Sequence, residues 1–407
     1  MNCRFCQAPL SQSFLDLKHS PVANALLTQA DLNKEEVYYP LNTWVCSKCW
    51  LVQTQDFSAS SEIFTPDYPY FSSVSHSWLE HCKEYVEMVT ERFGISEHSK
   101  VLEVASNDGY LLQYFMEKGV EIMGVEPTES TAKKAISKGI PTWIDFFTSS
   151  FAKQHFQNDP VDLIIGNNVL AHVPDINDFV KGLQIALKPD GFMTFEFPHF
   201  LQLHEHCQFD TIYHEHFSYF SLITVTKIFE AHHLQVFDVE KLGTHGGSLR
   251  LYVKHQGNKL LPTTEAVKLL YEKELEMGLN TIDFYKDFEK KIQPIKTGLM
   301  KFLLDAKHNH KKVAAYGAAA KGNTLLNYCG LKNDLIAYCA DANIHKQGKY
   351  LPGSHIPIVS PDKIWEDKPD YILILPWNLE KEISRFLEPR REWGGQLVIA
   401  IPRLKIF

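Results

Sequence analysis

Val101-Leu102-Glu103-Val104-Ala105-Ser106-Asn107-Asp108-Gly109-Tyr110-Leu111-Leu112-Gln113-Tyr114-Phe115 decides the fold. Residues 101–105 are a short apolar run, Ser106–Gly109 are turn formers, and the apolar residues from Tyr110 onward return at helical spacing. The stretch therefore predicts strand, tight turn, helix. The pattern recurs. Ile122-Met123-Gly124-Val125-Glu126-Pro127 predicts a second strand, followed by a helix around Thr131–Lys138. Trp143-Ile144-Asp145-Phe146-Phe147 predicts a third unit, and Val161–Ile165, running on through Asn167 and Asn168 to His172, a fourth. Alternation of this kind gives an α/β fold with a doubly wound parallel sheet, whose ligands bind at the carboxyl ends of the strands.

The first turn indicates which ligand. A dinucleotide site wants GxGxxG, so that a pyrophosphate can approach backbone amides; here the turn holds one glycine and the strand end carries Glu103. A carboxylate repels phosphate and attracts an ammonium or sulfonium, which favours S-adenosylmethionine (SAM). Glu103 would stand near the methionyl amino group and Gly109 would allow close approach. Glu126, 23 residues beyond Glu103, would take the ribose hydroxyls, and Phe146 or Phe147 would pack by the adenine. The plainer alternative is a doubly wound sheet whose strand-end acids merely cap helices.

Toward the N-terminus, Cys3, Cys6, Cys46 and Cys49 form two CxxC pairs about forty residues apart; the other four of eight cysteines are scattered. Paired knuckles of this spacing predict one tetrahedral, structural Zn²⁺ with no open position for catalysis, a redox pair being the rival. The small segment between them needs such a staple to fold. Across the whole chain of 407 residues, 41 Lys+Arg against 49 Asp+Glu give a charge of −8, and 44% hydrophobic content can bury several cores. Dominant disorder and nucleic-acid binding by bulk charge are excluded. No run approaches the roughly 18 apolar residues of a membrane span and no signal-peptide core opens the chain, so the expectation is a cytoplasmic protein without membrane partners.

Downstream, Phe209-Asp210-Thr211-Ile212-Tyr213-His214-Glu215-His216-Phe217-Ser218-Tyr219-Phe220 gathers a phenol, two imidazoles and a carboxylate within four positions. Imidazole is the group best poised to move a proton near neutral pH, so the cluster is a candidate reaction centre. Metal binding ranks below, because HEH does not put both imidazoles on one helical face; a purely structural role at a domain junction stays open. Thr244-His245-Gly246-Gly247-Ser248-Leu249-Arg250 reads as a strand entered through a Gly-Gly turn, with Arg250 available for a phosphate or, more plainly, as a hairpin.

After Thr263 an amphipathic connector leads to a second α/β unit. Val313–Tyr316 predicts a strand, Gly317–Lys321 a small-residue loop, and Gly322 onward a helix; Leu335–Asp341 and Tyr371–Asn378 predict further strands. The loop lacks P-loop spacing, yet Lys321 and free amides at a helix start could hold a diphosphate. The expected domains are 1–66, 67–262 and 263–407.

With these residues in view, the sequence resembles the zinc-containing, SAM-dependent C-methyltransferases of deoxysugar biosynthesis, which act on nucleotide-linked 4-keto-hexoses. The likeness rests on both CxxC pairs, Asp67–Ser73, Glu103–Gly109, Asn167–His172, Tyr213–His216, His245–Ser248 and Tyr316–Asn323. It implies a zinc lobe, a Rossmann-like SAM domain and a C-terminal α/β domain, with Tyr68, Ser106, Asn107, Pro127 and Asn167 also at the cofactor and His245, Ser248, Lys321 and Asn323 at the sugar nucleotide. It further implies His216 as the general base, with Glu215 orienting or charge-balancing its imidazole. Tyr213, His172 or Tyr70 would donate hydrogen bonds to a developing oxyanion. The family precedent also makes the expected partner a thymidine-diphospho sugar and the expected state a monomer, with methylation at C3 ahead of C5. Methylation of oxygen or nitrogen, and a zinc-stapled binding protein without turnover, are the competing readings.

Overall fold

The computed structural model describes residues 1–55, 57 and 71–407; the expected site residues Tyr68 and Tyr70 lie outside these. Three sheets organise them. In the central sheet β4 (Lys100–Val104) pairs in parallel with β5 (Glu121–Val125) on one side and β7 (Val161–Asn167) on the other. Outward from β5 lies β6 (Thr142–Trp143); outward from β7 lie β8 (Leu187–Pro198), β11 (Ser248–His255) and β10 (Leu234–Leu242). Only β11 breaks the common direction, running antiparallel to both its neighbours. The strand order reverses between β4 and β7, so their carboxyl ends, Glu103-Val104 and Asn167, flank the switch-point crevice. Leu102, Ile164, Met193 and Phe195 are fully buried beneath it, each contributing about 1.5–3 kcal/mol of transfer free energy.

The third strand is shorter than its apolar sequence predicts. The Asp145 carboxylate accepts from the Phe146 amide at 2.7 Å, a local bond that competes with sheet pairing, and Ile144 and Phe146 are exposed. Likewise the expected strand 335–341 is regular over Cys339–Ala340 alone, as β13, with Ala337 N–H and Asp341 N–H extending its bonds to Val313 O and Val359 O.

The N-terminal sheet is antiparallel: β1 (Gln12–Ser20), β2 (Tyr39–Val45), β3 (Val52–Thr54) and β9 (Ser218–Tyr219). Its last strand comes from far along the chain, Val52 facing Tyr219 and Gln53 facing Ser218. Each cysteine knuckle is closed by a pair of backbone bonds around one left-handed residue, Cys3 N–H also donating to Ala8 O and Cys46 N–H to Leu51 O. Gln7 N–H donates to Cys3 at 3.0 Å with φ +59°, and Trp50 N–H to Cys46 at 2.8 Å with φ +69°. The four thiols converge within 4.8 Å of one another, the donor set and spacing of a closed tetrahedral zinc site.

The C-terminal sheet has the order β14-β13-β12-β15-β16-β17, with β12 at Val313–Tyr316, β14 at Ile358–Val359, β15 at Tyr371–Ile374, β16 at Gln396–Ile399 and an antiparallel edge β17 at Lys405–Ile406. Its order reverses between β12 and β15, which brings the loop before Lys321 beside Pro376-Trp377-Asn378. Gly317 (φ +87°) makes this possible, since a Cβ there would meet Pro376 Cδ at 2.5 Å.

Aromatic rings lock the three units. Phe14 stacks on Phe288 at 4.8 Å and meets Phe200 edge-on at 5.3 Å. The helix Glu265–Glu276, beyond the boundary expected at 262, packs back on the central unit. Its buried Glu274 accepts from Leu222 N–H and Ile223 N–H at 2.8 Å each and bonds His199 Nε2 at 2.6 Å. No helix among the described residues is long and apolar enough to cross a membrane.

Removing zinc with a chelator, or the substitution Cys46→Ser, is expected to unpair β3 from β9. Amide exchange at 52–54 and 218–219 should rise about tenfold or more while that at 163–165 stays near its starting value. Unchanged exchange in β3 and β9 would show that the sheet stands without the metal.

Candidate active site

The cofactor crevice is lined by polar groups that the fold leaves without partners. Glu103 ends β4 with no exposure, and neither carboxylate oxygen has a hydrogen-bond partner among the described residues. Burial, with the nearby charges of Asp108 and Glu126, pushes its carboxyl well above the usual range. Ser106 Oγ, Asp108 Oδ1 and both amide atoms of Asn167 are orphaned in the same way. Buried polar atoms are ordinarily satisfied, so this ring fits a ligand that carries an ammonium and several donors, as SAM does.

Two expected cofactor contacts take other roles. Gly109 (φ +74°) is needed because a Cβ would meet Ile140 Cδ1 at 2.3 Å and Ala135 Cβ at 3.3 Å, so the close approach it allows is to its own domain. Phe147 is buried against Phe151 and Phe179, leaving Phe146 as the ring with a free face. Glu126 accepts from Asn107 N–H at 3.0 Å and Thr128 N–H at 2.8 Å, fastening the turn on either side of Pro127.

At the candidate reaction centre, backbone carbonyls choose the tautomers. A carbonyl can only accept, so His216 Nδ1–H donates to Thr211 O at 3.0 Å and the lone pair lies on Nε2. There it meets the Tyr213 hydroxyl at 2.8 Å, which must be the donor. By the same logic His172 Nδ1–H donates to the carbonyl of Glu215 at 2.7 Å, leaving Nε2 an acceptor. The two imidazoles lie edge to face at 4.6 Å. Burial lowers both: His172 to about 4, and His216 well below its usual value, with the His172 charge adding to the effect. Both are neutral at pH 7, and a neutral His172 in this tautomer cannot donate to an oxyanion, contrary to expectation.

Glu215 corrects a second expectation. Its carboxylate faces the N-terminal unit, where Oε1 accepts from Asn24 Nδ2 at 3.0 Å and Asn24 N–H at 3.3 Å, and Oε2 is unpartnered among the described residues. Thr211, not Glu215, orients His216. Burial pushes the Glu215 carboxyl up to about 7.

Arg250, expected on the substrate side, faces carboxylates on all three of its nitrogens. Its Nε and Nη2 bond Glu196 at 2.8 and 2.6 Å, and Nη1 bonds Glu240 at 2.8 Å. His81 joins from the helix His76–Phe93, Nε2 lying 2.8 Å from Glu196, so the expected phosphate ligand is instead the centre of a buried ionic network. Ser248 Oγ donates to Thr244 O at 3.0 Å and serves its own turn. His245 (φ +53°) meets Asn168 Nδ2 through Nε2 at 3.1 Å. Asn323 is fully buried with both amide atoms unpartnered among the described residues. Lys321 Nζ donates to Asn378 Oδ1 at 2.7 Å and lies 4.8 Å from the Trp377 ring centroid.

Several residues that shape the site are absent from the sequence expectation. Thr54 Oγ1 donates to His216 O at 2.9 Å and Thr324 Oγ1 to Ile212 O at 3.0 Å, so the first and third units grip the block from opposite sides. Trp377 Nε1 donates to Asp210 Oδ2 at 2.7 Å. Trp377-Asn378 carried a usable signal, because they follow directly on a strand's carboxyl end; Thr54 and Asn24 carried none.

A carboxyl whose pKa is higher folded than unfolded holds its proton more tightly in the native state. Glu215 should therefore cost stability as pH rises from about 4.5 to about 7, by up to about 3 kcal/mol. Glu215→Gln should flatten that decline and equal or exceed the parent in denaturant midpoint at pH 8. A variant less stable than the parent at pH 8 would contradict this.

Comparison with known proteins agrees with this geometry. Residues 3–64 match the family model of a zinc binding domain, 78–239 that of a methyltransferase domain, and 243–402 that of the C-methyltransferase C-terminal domain. The chain is 33% identical over 99% of its length to C-methyltransferase NovU of Streptomyces niveus, covering 96% of that protein. It is 30% identical over 26% of its length to the ubiquinone biosynthesis O-methyltransferase of Salmonella paratyphi A, covering 46% of that protein. The PH0226 protein of Pyrococcus horikoshii aligns at a TM-score of 0.38 and 16% identity, over 49% of this chain and 99% of that one. Matched along its whole length, domain by domain, the chain belongs to the zinc-containing, SAM-dependent C-methyltransferase family.

Proposed function

We propose that this C-methyltransferase acts on a thymidine-diphospho-4-keto-6-deoxyhexose, in deoxysugar biosynthesis, and places the methyl group on C3, the carbon next to the ketone. The observation that carries the reading is the Tyr213–His216 pair, a neutral imidazole whose lone pair is aimed at a phenol within 2.8 Å. Carbon is a poor nucleophile until a proton is removed beside a carbonyl, and that removal needs a positioned base. Bound SAM supplies the electrophilic methyl group. His216 is the ultimate proton acceptor, and the Tyr213 phenol relays: its oxygen takes the proton from carbon as its own proton moves to Nε2. Thr211 holds the imidazole in the tautomer this requires. Tyr70 is retained as a further phenol at the site and Tyr68 at the cofactor, on the resemblance alone.

Oxygen methylation needs no enolate. The O-methyltransferase relative spans only 26% of the chain, whereas the C-methyltransferase C-terminal model matches a third unit, 243–402, beyond the methyltransferase domain at 78–239.

Replacing either member of the relay should slow exchange of the substrate's α-proton with solvent by about 10²–10⁴-fold. Under Tyr213→Phe and His216→Ala the losses should be comparable, with SAM affinity unchanged in calorimetry. If His216→Ala exchanges at near the parent rate, the base assignment fails. If Tyr213→Phe is nearly silent while His216→Ala is not, the relay fails and the imidazole acts directly.

A further inference from the structure

Enolate formation moves negative charge onto the keto oxygen, and a site that stabilises it needs a donor or cation there. This inference rests on the carbon-methylation reading above. Two of the three neutral donors expected for the task are committed elsewhere, the Tyr213 proton being directed at His216 Nε2 and the His172 Nδ1–H at the Glu215 carbonyl, and the third, Tyr70, lies outside the described residues. The third unit supplies another group.

Lys321 opens the helix Ala320–Cys329 at the switch point of the C-terminal sheet. Its ammonium rests on the Trp377 ring, and that ring is wedged between the two turns that carry the site's imidazoles. At one end Trp377 Nε1 bonds Asp210, the neighbour of the Thr211 that holds His216. At the other end the ring covers Gly246, next to His245, so closely that a Cβ on Gly246 would lie 2.3 Å from Trp377 Cη2. One N–H of the ammonium is spent on the neutral amide of Asn378, and two remain. The Gly322 backbone keeps the helix start tight against the strand, since a Cβ would meet Leu375 Cβ at 2.6 Å.

We propose that Lys321 is the oxyanion-binding residue of the reaction, its ammonium meeting the keto oxygen as the enolate forms, and that Trp377 is the positioning residue that holds it there. The α C–H bond breaks and its proton passes through Tyr213 to His216 Nε2. The C–H electron pair becomes the C=C bond, and the carbonyl π pair moves onto the oxygen facing Lys321. When the new C–CH₃ bond forms the ketone returns, the S–CH₃ pair stays on sulfur, and Lys321 is unchanged.

Two further facts agree. The Lys321 charge is among the causes that hold His216 and His245 neutral, so it lies within electrostatic reach of both. Burial lowers the pKa of the Lys321 ammonium below its usual range, and the Asp210 carboxylate nearby acts to keep it charged. The assignment also gives the third unit a part in the chemistry itself.

The test compares full-length parent, Lys321→Met and Lys321→Arg, using calorimetry with thymidine diphosphate alone and α-deuterium wash-out from saturating thymidine-diphospho-4-keto-6-deoxyhexose. Expected for Lys321→Met is a wash-out rate lower by about 100-fold or more, with diphosphate affinity within about threefold of the parent; Lys321→Arg, which keeps the charge, should recover at least a tenth of the rate. A tenfold loss of thymidine diphosphate affinity with normal wash-out at saturation would overturn the proposal and return Lys321 to the diphosphate. Parent protein that fails to exchange the deuterium would overturn the carbon-acid reading itself. Trp377→Phe, which keeps a ring but loses the Asp210 bond, is a second probe, and wash-out at the parent rate would remove Trp377 from the positioning role.

Discussion

The hydrogen bond from His216 Nδ1–H to the Thr211 carbonyl is the constraint on which the proposed reaction centre depends. Because a carbonyl cannot donate, that single contact decides which ring nitrogen keeps its lone pair, and hence that Tyr213 gives its proton to the imidazole. The same rule applied at the Glu215 carbonyl makes His172 an acceptor. Burial disfavours the charged form of both rings, so each is neutral before a proton is taken up. What looks in sequence like a cluster of interchangeable polar groups is thus an ordered set, with each proton assigned by the backbone around it.

That backbone is held by all three units. Thr54 and Asn24 grip residues 215–216 from the N-terminal side, and the β3–β9 pairing continues the grip to Tyr219. Gln53, the neighbour of Thr54, donates through Nε2 to Cys3 Sγ at 3.3 Å, so the cysteine cluster is tied to the same strand. Thr324 and Trp377 hold residues 210–212 from the C-terminal side. The zinc lobe, remote from chemistry by ligand count, is a wall of the site by topology.

The fold was largely legible. The strand-turn-helix at 101–115, the CxxC knuckles and the β12 loop all declare themselves through short-range patterns that local physics enforces. Trp143–Phe147 misled, because apolar composition resembles a strand until the Asp145 side chain intercepts a backbone amide. The approach of Tyr213 to His216 follows from their spacing, but the partners of the other candidate residues are set by elements distant in sequence. Arg250 looks free for a phosphate in sequence because its counter-ions Glu196 and Glu240 lie on neighbouring strands, and Glu215 looks paired with His216 because adjacency in sequence says nothing of the side on which a carboxylate points. Tautomers are settled by carbonyls brought together only in the folded chain.

The central claim, carbon methylation beside a ketone, is tested most directly by the mass of a product. Purified protein would be given SAM and a thymidine-diphospho-4-keto-6-deoxyhexose carrying deuterium at C3. The account predicts a product that has gained one methyl group and lost that deuterium. A methylated product that keeps the deuterium would contradict it, moving the reaction to another carbon or to oxygen.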